Sequence, residues 1–446
     1  MEKKVLILGA GLVAQPIIRY LLSQGIKVTV ASNTPDRADI MIDGHVNGVN
    51  INWSIDDKET LNDLIKNNDI VVSLLPYSFH LLVAEYALLH KKNMVTSSYV
   101  KPEMQALDAK AKEAGIIILN ELGLDPGIDH MSAMRIIDNV HNKGGKIKEF
   151  YSLCGALPAP EAATNPFKYK FSWSPKGVVM AGNNDAVYLK HNNIVDIPTQ
   201  DLFKNPFKVN YPEIGQLEVY PNRDSVSYKD IYGIQETETI FRGTFRFNGW
   251  CETLDAIKRL NLISYDKLNL KGKTYADLVA LLIGENDSKN IKEKTSKFLQ
   301  IDVNSYSLNA IEWLGLFENI PMNRVEDSPF EITSDLMIEK MQLGNEERDM
   351  VVMQHTFLAS YPDGKQEVIR SRMLDFGKLA TDTAIARTVA LPAAMGVMMI
   401  LENKINVKGV YRPVIPEIYN PILDKLETMN IKMIEEYGLP LSENIK

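Results

Sequence analysis

The strand, turn and helix predicted at residues 4–22 constrain the fold more than any other part of the chain. Residues 5–8 are an unbroken apolar run, and the segment after residue 14 has the periodicity of an amphipathic helix. In the pattern G-x-G-x-x-A, the first glycine allows a tight turn, the second lets the backbone approach a pyrophosphate, and the small last residue lets the helix pack closely on the strand. Because a second strand follows at residues 26–31, we predict a dinucleotide-binding βαβ unit rather than only a tight turn. The turn comprises Gly9, Ala10, Gly11, Leu12, Val13 and Ala14.

Composition indicates a globular protein of roughly two to four domains. Of the 446 residues, 45% are apolar and 24% are charged, and the net charge of -8 argues against a nucleic-acid partner. Cys154 and Cys251 provide neither a disulfide framework nor a metal motif, and the seven histidines show no metal-ligand spacing. The first residues lead directly into the predicted first strand, so we expect no signal peptide, and the apolar run at 389–401 is interrupted by Pro392 and too short to span a bilayer. We therefore expect a soluble cytoplasmic protein without a metal or a membrane contact.

Up to about residue 120 the chain alternates buried strands with helical patterns, as βαβ units do. Further strands are predicted near 39–42 and at 70–75, 94–96 and 116–119, with helices around 60–67, 79–90 and 103–114. We predict an α/β fold: a Rossmann doubly wound parallel sheet formed by residues 1–124 and completed by about 383–425. Its ligands should lie at the carboxyl ends of the strands.

The residues that follow the second strand favour NADP over NAD. A domain that prefers NAD usually places Asp or Glu there, where the carboxylate accepts hydrogen bonds from the ribose hydroxyls. This chain has Ser32, Asn33 and Thr34, with Arg37 close behind. Hydroxyl groups, an amide and a guanidinium suit a 2′-phosphate better, although an ordinary polar loop is the alternative interpretation.

Polar residues also follow the later strands. Ser73 and Thr96 end the fourth and fifth strands, where capping of the next helix would explain them equally well. After the sixth strand, residues 120–130 combine glycines and a proline with three carboxylates and a histidine. We interpret Asp129 as the N-cap of the following helix and His130 as a packing residue. Asp125 has no such structural explanation, and we predict that it is functional.

Beyond residue 146 the pattern changes to alternating strands with longer loops, which predicts a second domain at 125–382. It should be an α+β domain with a mixed or antiparallel sheet and a small helical insert at about 252–320. Arg223 lies in a turn after one predicted strand, and Arg242, Thr244 and Arg246 share one face of another. A strand arginine is usually part of a solvated face, so this pattern by itself leaves the role of the three arginines open.

Together these motifs resemble the NADP-dependent, L-glutamate-forming saccharopine dehydrogenases, or saccharopine reductases, over nearly the whole chain. The most specific stretches are 120–130, 154–161, 169–175, 221–225 and 242–246. The resemblance implies substrate contacts at Ser98, Tyr99, Arg223, Thr244, Phe245 and Arg246. It implies cofactor contacts at Gly11, Leu12, Val13, Ala14, Ser32, Asn33, Thr34, Leu75, Thr96, Ser97, Asp125, Pro126, Gly127 and Ser174.

One departure concerns the phosphate site. Members of the family often have Cys-Arg-Thr where this chain has Ser32-Asn33-Thr34, so a 2′-phosphate would depend on Arg37 or on the backbone.

The resemblance implies interconversion of saccharopine with L-glutamate and 2-aminoadipate 6-semialdehyde, a reaction of lysine metabolism. Hydride leaves the ε-carbon of the lysine half of saccharopine, and water then cleaves the resulting imine. Asp125, Cys154 and Tyr99 are the candidates for the proton transfers, with no single obligatory base, and Cys154 is equally explained as a buried small residue. The expected partners are these small molecules, with a homodimer as the candidate assembly.

Two alternatives stay open. A carboxyspermidine-type dehydrogenase would share the architecture, but its polyamine substrate should need more acidic groups and fewer arginines. A non-enzymatic NADP sensor would keep the glycine turn without needing Asp125, Tyr99 or the arginines.

Overall fold

The computed structural model describes residues 2–379 and 382–445, in which the first sheet is parallel and has seven strands. Its order is β3-β2-β1-β4-β5-β6-β17, with numbering along the chain. The strands are β1 (Lys4–Leu8), β2 (Lys27–Ser32), β3 (Gly48–Asn52), β4 (Ile70–Ser73), β5 (Asn93–Thr96), β6 (Ile117–Leu119) and β17 (Gly409–Tyr411).

Strand β1 pairs in parallel with both β2 and β4, so the order of the strands reverses there. At such a point the loops after neighbouring strands diverge and leave a crevice at the carboxyl ends. The predicted Rossmann sheet is confirmed. Its connecting helices are α1 (Gln15–Ser23), α2 (Pro35–Ile42), α3 (Lys58–Lys66), α4 (His80–Leu89), α5 (Pro102–Gln105) and α6 (Asp108–Ala114).

The strand predicted near residues 39–42 is wrong, because this segment is the second half of α2. Ala38, Met41 and Ile42 are buried at helical spacing, and Pro35 begins the helix. The third strand is instead β3, a half-exposed edge strand whose Gly-Val-Asn-Ile-Asn sequence lacks the apolar run of a buried strand.

The second sheet has nine strands and is mixed, as predicted. Strand β12 runs parallel to β7, whereas the pairs β11–β12 and β7–β15 are antiparallel. Strands β8 and β9 join the sheet beside β12. The strands are β7 (Lys146–Pro158), β8 (Ala186–Lys190), β9 (Asn193–Ile197), β10 (Phe207–Tyr211), β11 (Gly215–Pro221), β12 (Thr239–Phe247), β15 (Asp349–Ser360), β16 (Gln366–Phe376) and β18 (Ile434–Leu439).

Helices cover the second sheet, and the helical part is longer than the predicted 252–320. It contains α10 (Trp250–Arg259), α11 (Tyr275–Leu282), α12 (Ile291–Leu299), α13 (Tyr306–Leu314) and α14 (Pro329–Lys340), with the short pair β13 (Leu268–Asn269) and β14 (Glu326–Asp327). Two shorter helices, α8 (Pro175–Ala181) and α9 (Tyr228–Tyr232), lie in the loops before β8 and β12.

Three further helices are α7 (Ile128–Asn142), α15 (Ala384–Leu401) and α16 (Pro416–Glu427). Helix α15 packs against strands of both sheets, α7 packs against the second sheet, and α16 packs against α7 and α15. One continuous apolar core joins Ile17 of α1, Ala394 of α15 and Met353 of the second sheet. The predicted run at 389–401 is therefore part of a longer, 18-residue helix. Its length and mean hydropathy of 1.8 suffice for a membrane span, but 78% of it is buried inside the protein.

Candidate active site

The glycine turn after β1 leaves room and donors for an anion. Gly9 has a φ of +103°, and a Cβ there would lie 3.2 Å from the carbonyl oxygen of Leu74, so a larger residue would strain the turn. A Cβ at Gly11 would have nothing within 4 Å. Within the described part of the chain, the amides of Leu12 and Val13 have no hydrogen-bond acceptor. Free amides at the start of a helix fit the pyrophosphate of a dinucleotide.

Ala14 is fully buried, so α1 packs closely on the sheet as the pattern predicts.

The loop after β2 is closed by its own hydroxyl groups. The Ser32 hydroxyl accepts a hydrogen bond from the Thr34 amide at 3.1 Å and lies 2.9 Å from the Thr34 hydroxyl. Asn33 and Arg37 are exposed, and Arg37 has no ion pair among residues 2–379 and 382–445. An exposed, uncompensated guanidinium beside the second strand fits a 2′-phosphate.

The loops after β4 and β5 lie side by side at the crevice. Leu75, Ser97 and Ser98 are partly exposed there, whereas Thr96 is buried at the end of β5. The chain after β6 continues this edge, because the amide of Leu122 donates to the Thr96 carbonyl at 3.2 Å. The predicted positions at the strand ends therefore converge.

A tight glycine turn delivers Asp125 to the crevice. Gly127 has a φ of +147°, and a Cβ there would lie 2.0 Å from the carbonyl oxygen of Gly123, so only glycine fits. Pro126 is buried between these residues, and the Asp125–Pro126 peptide bond is cis. The turn brings the Asp125 carboxylate to Tyr99, whose hydroxyl donates to Asp125 Oδ1 at 3.0 Å.

The pKa of Asp125 is raised, mainly because burial disfavours its charged form. The negative charge of Asp129 raises this pKa further, whereas the positive charge of Arg242 and the hydrogen bond from Tyr99 lower it. Burial also raises the pKa of Tyr99 well above its usual value, which keeps the phenol protonated and able to donate. The site therefore pairs a carboxyl group whose pKa is raised with a phenol that stays protonated.

Arg242 is a site residue whose role the sequence left open. Its guanidinium donates to Asp125, lies 3.2 Å from the Tyr99 hydroxyl and stacks over Tyr228 at 4.3 Å. It is buried in the middle of β12, with Phe241 and Gly243 on either side. A charged residue in an apolar central strand is the signal that could have identified it, because buried charges are usually paired.

The N-cap predicted at Asp129 is wrong. Helix α7 begins at Ile128, and Asp129 lies fully buried in its first turn, where its carboxylate accepts from the Gly127 amide at 2.6 Å. The other carboxylate oxygen is 3.4 Å from Arg242. Arg242 is thus neutralised by two carboxylates, Asp125 and Asp129.

His130 is fully buried, as expected for the packing residue that we predicted from the sequence. It lies 2.6 Å from Glu121 and 2.7 Å from the Tyr232 hydroxyl, inside the protein. Glu121 also accepts from Arg412, so the turn, α7 and the end of β17 are joined around one buried carboxylate.

The register of the second sheet places Cys154 beside Thr244. The two residues are direct partners in the parallel pair of β7 and β12, and Met353 is the partner of Cys154 on its other side. Cys154 is buried, and burial raises the pKa of its thiol well above the usual value, with the charges of Asp125 and Asp129 adding to the effect. The thiol is therefore protonated.

Phe245 points to the other face of β12. It is fully buried in the core of the second domain, and only its carbonyl faces a site residue, accepting from Arg246 at 2.9 Å. The resemblance implies a substrate contact at Phe245, and the core position of its side chain leaves only the backbone for such a contact.

The two remaining arginines have no counter-ion among the described residues. Arg223 is exposed and lies 5.5 Å over the ring of Tyr99. Arg246 is buried beside the rings of Tyr169 and Trp250, with its guanidinium carbon 5.0 and 5.2 Å from their centroids. Both guanidinium groups have donors left for a ligand.

Ser174 is separate from this cluster. It is exposed at the start of α8, and within the described residues no hydrogen bond or ion pair joins it to the residues around Asp125.

Within residues 2–379 and 382–445, no group of three His, Cys, Asp or Glu side chains is arranged to hold a metal ion.

Comparison with known proteins identifies the two parts of the chain. Residues 5–119 match the saccharopine dehydrogenase NADP binding domain, and residues 123–431 match the saccharopine dehydrogenase C-terminal domain.

A saccharopine dehydrogenase [NADP(+), L-glutamate-forming] from Saccharomyces cerevisiae is 38% identical over 459 residues, which cover 99% of each chain. The rat mitochondrial alpha-aminoadipic semialdehyde synthase is 37% identical over 442 residues, but this chain spans only 47% of that relative's length. The apo structure of the yeast L-Glu-forming saccharopine dehydrogenase superposes with a TM-score of 0.89 and 35% identity, covering 98% of this chain and 99% of that one.

The family models cover most of the chain, and full-length relatives exceed 30% identity. The chain therefore belongs to the saccharopine dehydrogenase family and carries its NADP-binding domain.

Proposed function

We propose that this protein interconverts saccharopine with L-glutamate and 2-aminoadipate 6-semialdehyde, with NADP as cofactor. The observation that carries the proposal is the unequal charge balance of three arginines at the crevice. Arg242 is neutralised by Asp125 and Asp129, whereas Arg223 and Arg246 have no ion pair within the described residues. Saccharopine carries three carboxylates, and fixed guanidinium groups bind carboxylates with bidentate geometry.

Arg246 is the stronger anchor of the two. A buried guanidinium without a carboxylate partner is costly, and an anionic ligand would remove that cost. Arg246 is already buried and donates to the Phe245 carbonyl, so less side-chain freedom is lost on binding than for an exposed arginine. Arg223 lies at the exposed side of Tyr99, where it can reach a second carboxylate.

The turns after β1 and β2 are the proposed cofactor contacts, together with the strand ends at Leu75, Thr96 and Ser97. Asp125–Gly127, for which the resemblance implies cofactor contacts, lie at the same edge of the first sheet. Bound NADP supplies the hydride acceptor for oxidation and, when reduced, the donor for the reverse reaction. For Ser174 only the family resemblance supports a cofactor role.

The protein's own groups handle protons and orientation. In the oxidative direction the secondary amine of saccharopine must lose a proton as hydride leaves the ε-carbon, and the later attack of water on the imine needs a base and then an acid. Asp125 is suited to accept these protons, since its pKa is raised and its position is held by Tyr99 and Arg242. Cys154 and Tyr99 stay protonated because burial raises their pKa values, so they can donate hydrogen bonds, and protonated Asp125 is the group that can return a proton.

The direct test is an initial-rate assay with saccharopine and NADP, followed by NADPH absorbance. Carboxynorspermidine, assayed on the same protein, separates the proposal from the polyamine alternative. Turnover of saccharopine with NADPH formation supports the proposal. A better rate with the polyamine, or binding of NADP with no turnover of either compound, contradicts it.

Two further expectations are part of this proposal, a cytoplasmic location and a homodimeric assembly. Fractionation of the source cells tests the first, and light scattering coupled to gel filtration tests the second.

A further inference from the structure

His80 is a buried histidine that none of the assigned roles uses. It is the first residue of α4, and its ring lies between the ends of β4 and β5. Its Nδ1 is 2.8 Å from the hydroxyl of Ser73, and its Nε2 is 2.7 Å from the hydroxyl of Ser98. The family resemblance implies a substrate contact at Ser98, so the ring connects a buried hydroxyl to the crevice.

The ring is neutral near neutral pH, because burial lowers the pKa of His80 to about 4. A neutral imidazole has one N–H donor and one acceptor nitrogen. The tautomer therefore decides which serine donates to the ring and which accepts from it.

Ser73 decides the tautomer. Its side chain is fully buried, and within the described residues His80 is the one hydrogen-bond partner of its hydroxyl. A buried hydroxyl hydrogen without an acceptor is unfavourable. The Ser73 hydroxyl must therefore donate to Nδ1, which leaves the ring hydrogen on Nε2.

The Nε2–H group then donates to Ser98, whose oxygen accepts. Thr96 is a weaker neighbour of the same nitrogen, at 3.4 Å. Since Ser98 accepts from the ring, its own hydrogen is free and points away from His80. Ser98 is partly exposed beside Tyr99, so an acceptor atom in the crevice can receive that hydrogen.

We propose that His80 is a positioning residue that holds the Ser98 hydroxyl as a donor to a carboxylate oxygen of the substrate. The identity of the acceptor rests on the proposed function. The hydrogen bonds from Ser73 through His80 to Ser98 do not depend on it, because all three residues belong to the protein. The proposal requires a defined direction for each hydrogen bond, from Ser73 to Nδ1 and from Nε2 to Ser98. A histidine that only packed α4 on the sheet would not need these directions.

Two substitutions of His80 separate the two nitrogens. The amide of Gln reaches as far from Cβ as Nε2 does, so His80→Gln can still donate to Ser98. The amide of Asn reaches only as far as Nδ1, so His80→Asn can retain the Ser73 contact but loses the Ser98 contact. We expect kcat/KM for saccharopine to fall about tenfold in His80→Asn, mainly through KM, and to be largely restored in His80→Gln. The dissociation constant for NADP and the melting temperature serve as controls for folding.

A double-mutant cycle with Ser98→Ala tests whether His80 acts through Ser98. In the Ser98→Ala background, His80→Asn should cause no further loss in kcat/KM. Equal losses in both backgrounds, or equal activity of the Asn and Gln variants, would overturn the inference. A Ser98→Ala protein with parent kinetics for saccharopine would also overturn it, while leaving the proposed function intact.

Nitrogen-15 NMR of the histidine rings provides a readout that does not need the reaction. The resonances of His80 are assigned by their loss in His80→Asn, and their shifts report which nitrogen carries the hydrogen. We expect the Nε2–H form in the parent protein and a mixture of tautomers in Ser73→Ala. An Nδ1–H form in the parent would overturn the inference even if the protein turns over saccharopine. A parent with the Nε2–H form but no activity on saccharopine would reject the proposed substrate and not the tautomer.

Discussion

The Tyr99 hydroxyl donates to Asp125 across the crevice at 3.0 Å, which joins the end of β5 to the turn after β6. The same carboxylate accepts from Arg242 of the second sheet. Three chain segments far apart in sequence thus meet at one oxygen, and this contact is the basis for the first prediction.

Replacement of Asp125 by Asn should lower kcat by about 10²–10⁴-fold, because the amide keeps the shape but cannot take up a proton. NADP affinity should stay nearly unchanged. Because protonation of Asp125 removes the base, kcat/KM should fall at acidic pH, with an apparent pKa above the usual range of an aspartate. This acidic fall should disappear in the variant. Steady-state kinetics across pH measure both effects, with the exposed Asp63→Asn as control; an unaltered kcat would mean that Asp125 is structural.

Removal of the unpaired guanidinium groups should weaken saccharopine use and spare the cofactor. For Arg246→Ala we expect kcat/KM for saccharopine to fall at least tenfold, since loss of a desolvated charge pair costs roughly 2–5 kcal/mol. Arg223→Ala should have a smaller effect because Arg223 is exposed. Saccharopine kinetics and NADP titration measure the changes, and Arg19→Ala controls for loss of an exposed arginine. Parent-like kinetics in both variants would reject the carboxylate contacts.

The cofactor preference should depend on Arg37. We expect the parent to have a higher kcat/KM with NADP than with NAD, and Arg37→Ala should reduce the ratio by up to about tenfold. Asn33→Asp should shift the preference toward NAD, because a carboxylate at this position accepts from the ribose hydroxyls and repels a phosphate. Kinetics with both cofactors decide the point, and an Arg37→Ala protein with an unchanged ratio would exclude that residue.

His355 should make the protein sensitive to acid. It is fully buried beside Phe150 and Phe357, and burial lowers its pKa to about 3. An unfolded histidine titrates near 6.5, so between these values the unfolded state binds more protons and stability falls as the pH falls. The cost is about 1.4 kcal/mol per pH unit.

His355→Phe should remove this dependence and leave an apolar ring among its aromatic neighbours. Between about pH 7 and pH 5 the variant should lose roughly 2 kcal/mol less of its apparent free energy of unfolding than the parent. Urea denaturation at both pH values measures the difference. An identical pH dependence would mean that His355 is not held neutral.

The sequence by itself determined the class of the first domain and its ligand. A strand, a G-x-G-x-x-A turn and a helix depend on neighbouring residues only, because the turn at Gly9 and the packing of Ala14 are local steric requirements. The order of strands and helices around that turn was sufficient for the Rossmann sheet. One local error, at residues 39–42, arose because buried apolar residues at short spacing fit both a strand and a helix.

The charge balance of the site was decided only by tertiary structure. Arg242, Arg223 and Arg246 look alike in sequence, but whether a guanidinium is neutralised depends on which carboxylates the fold brings within reach. Asp125 and Asp129 come from the end of the first sheet, whereas Arg242 comes from the middle of β12, more than a hundred residues later. Phe245 shows the same limit, since the face of the strand that points to the core is set by how the sheet packs and not by the strand alone. Coulomb energy and burial depend on distances in space, and for these residues those distances exist only once the two sheets have packed around α7, α15 and α16.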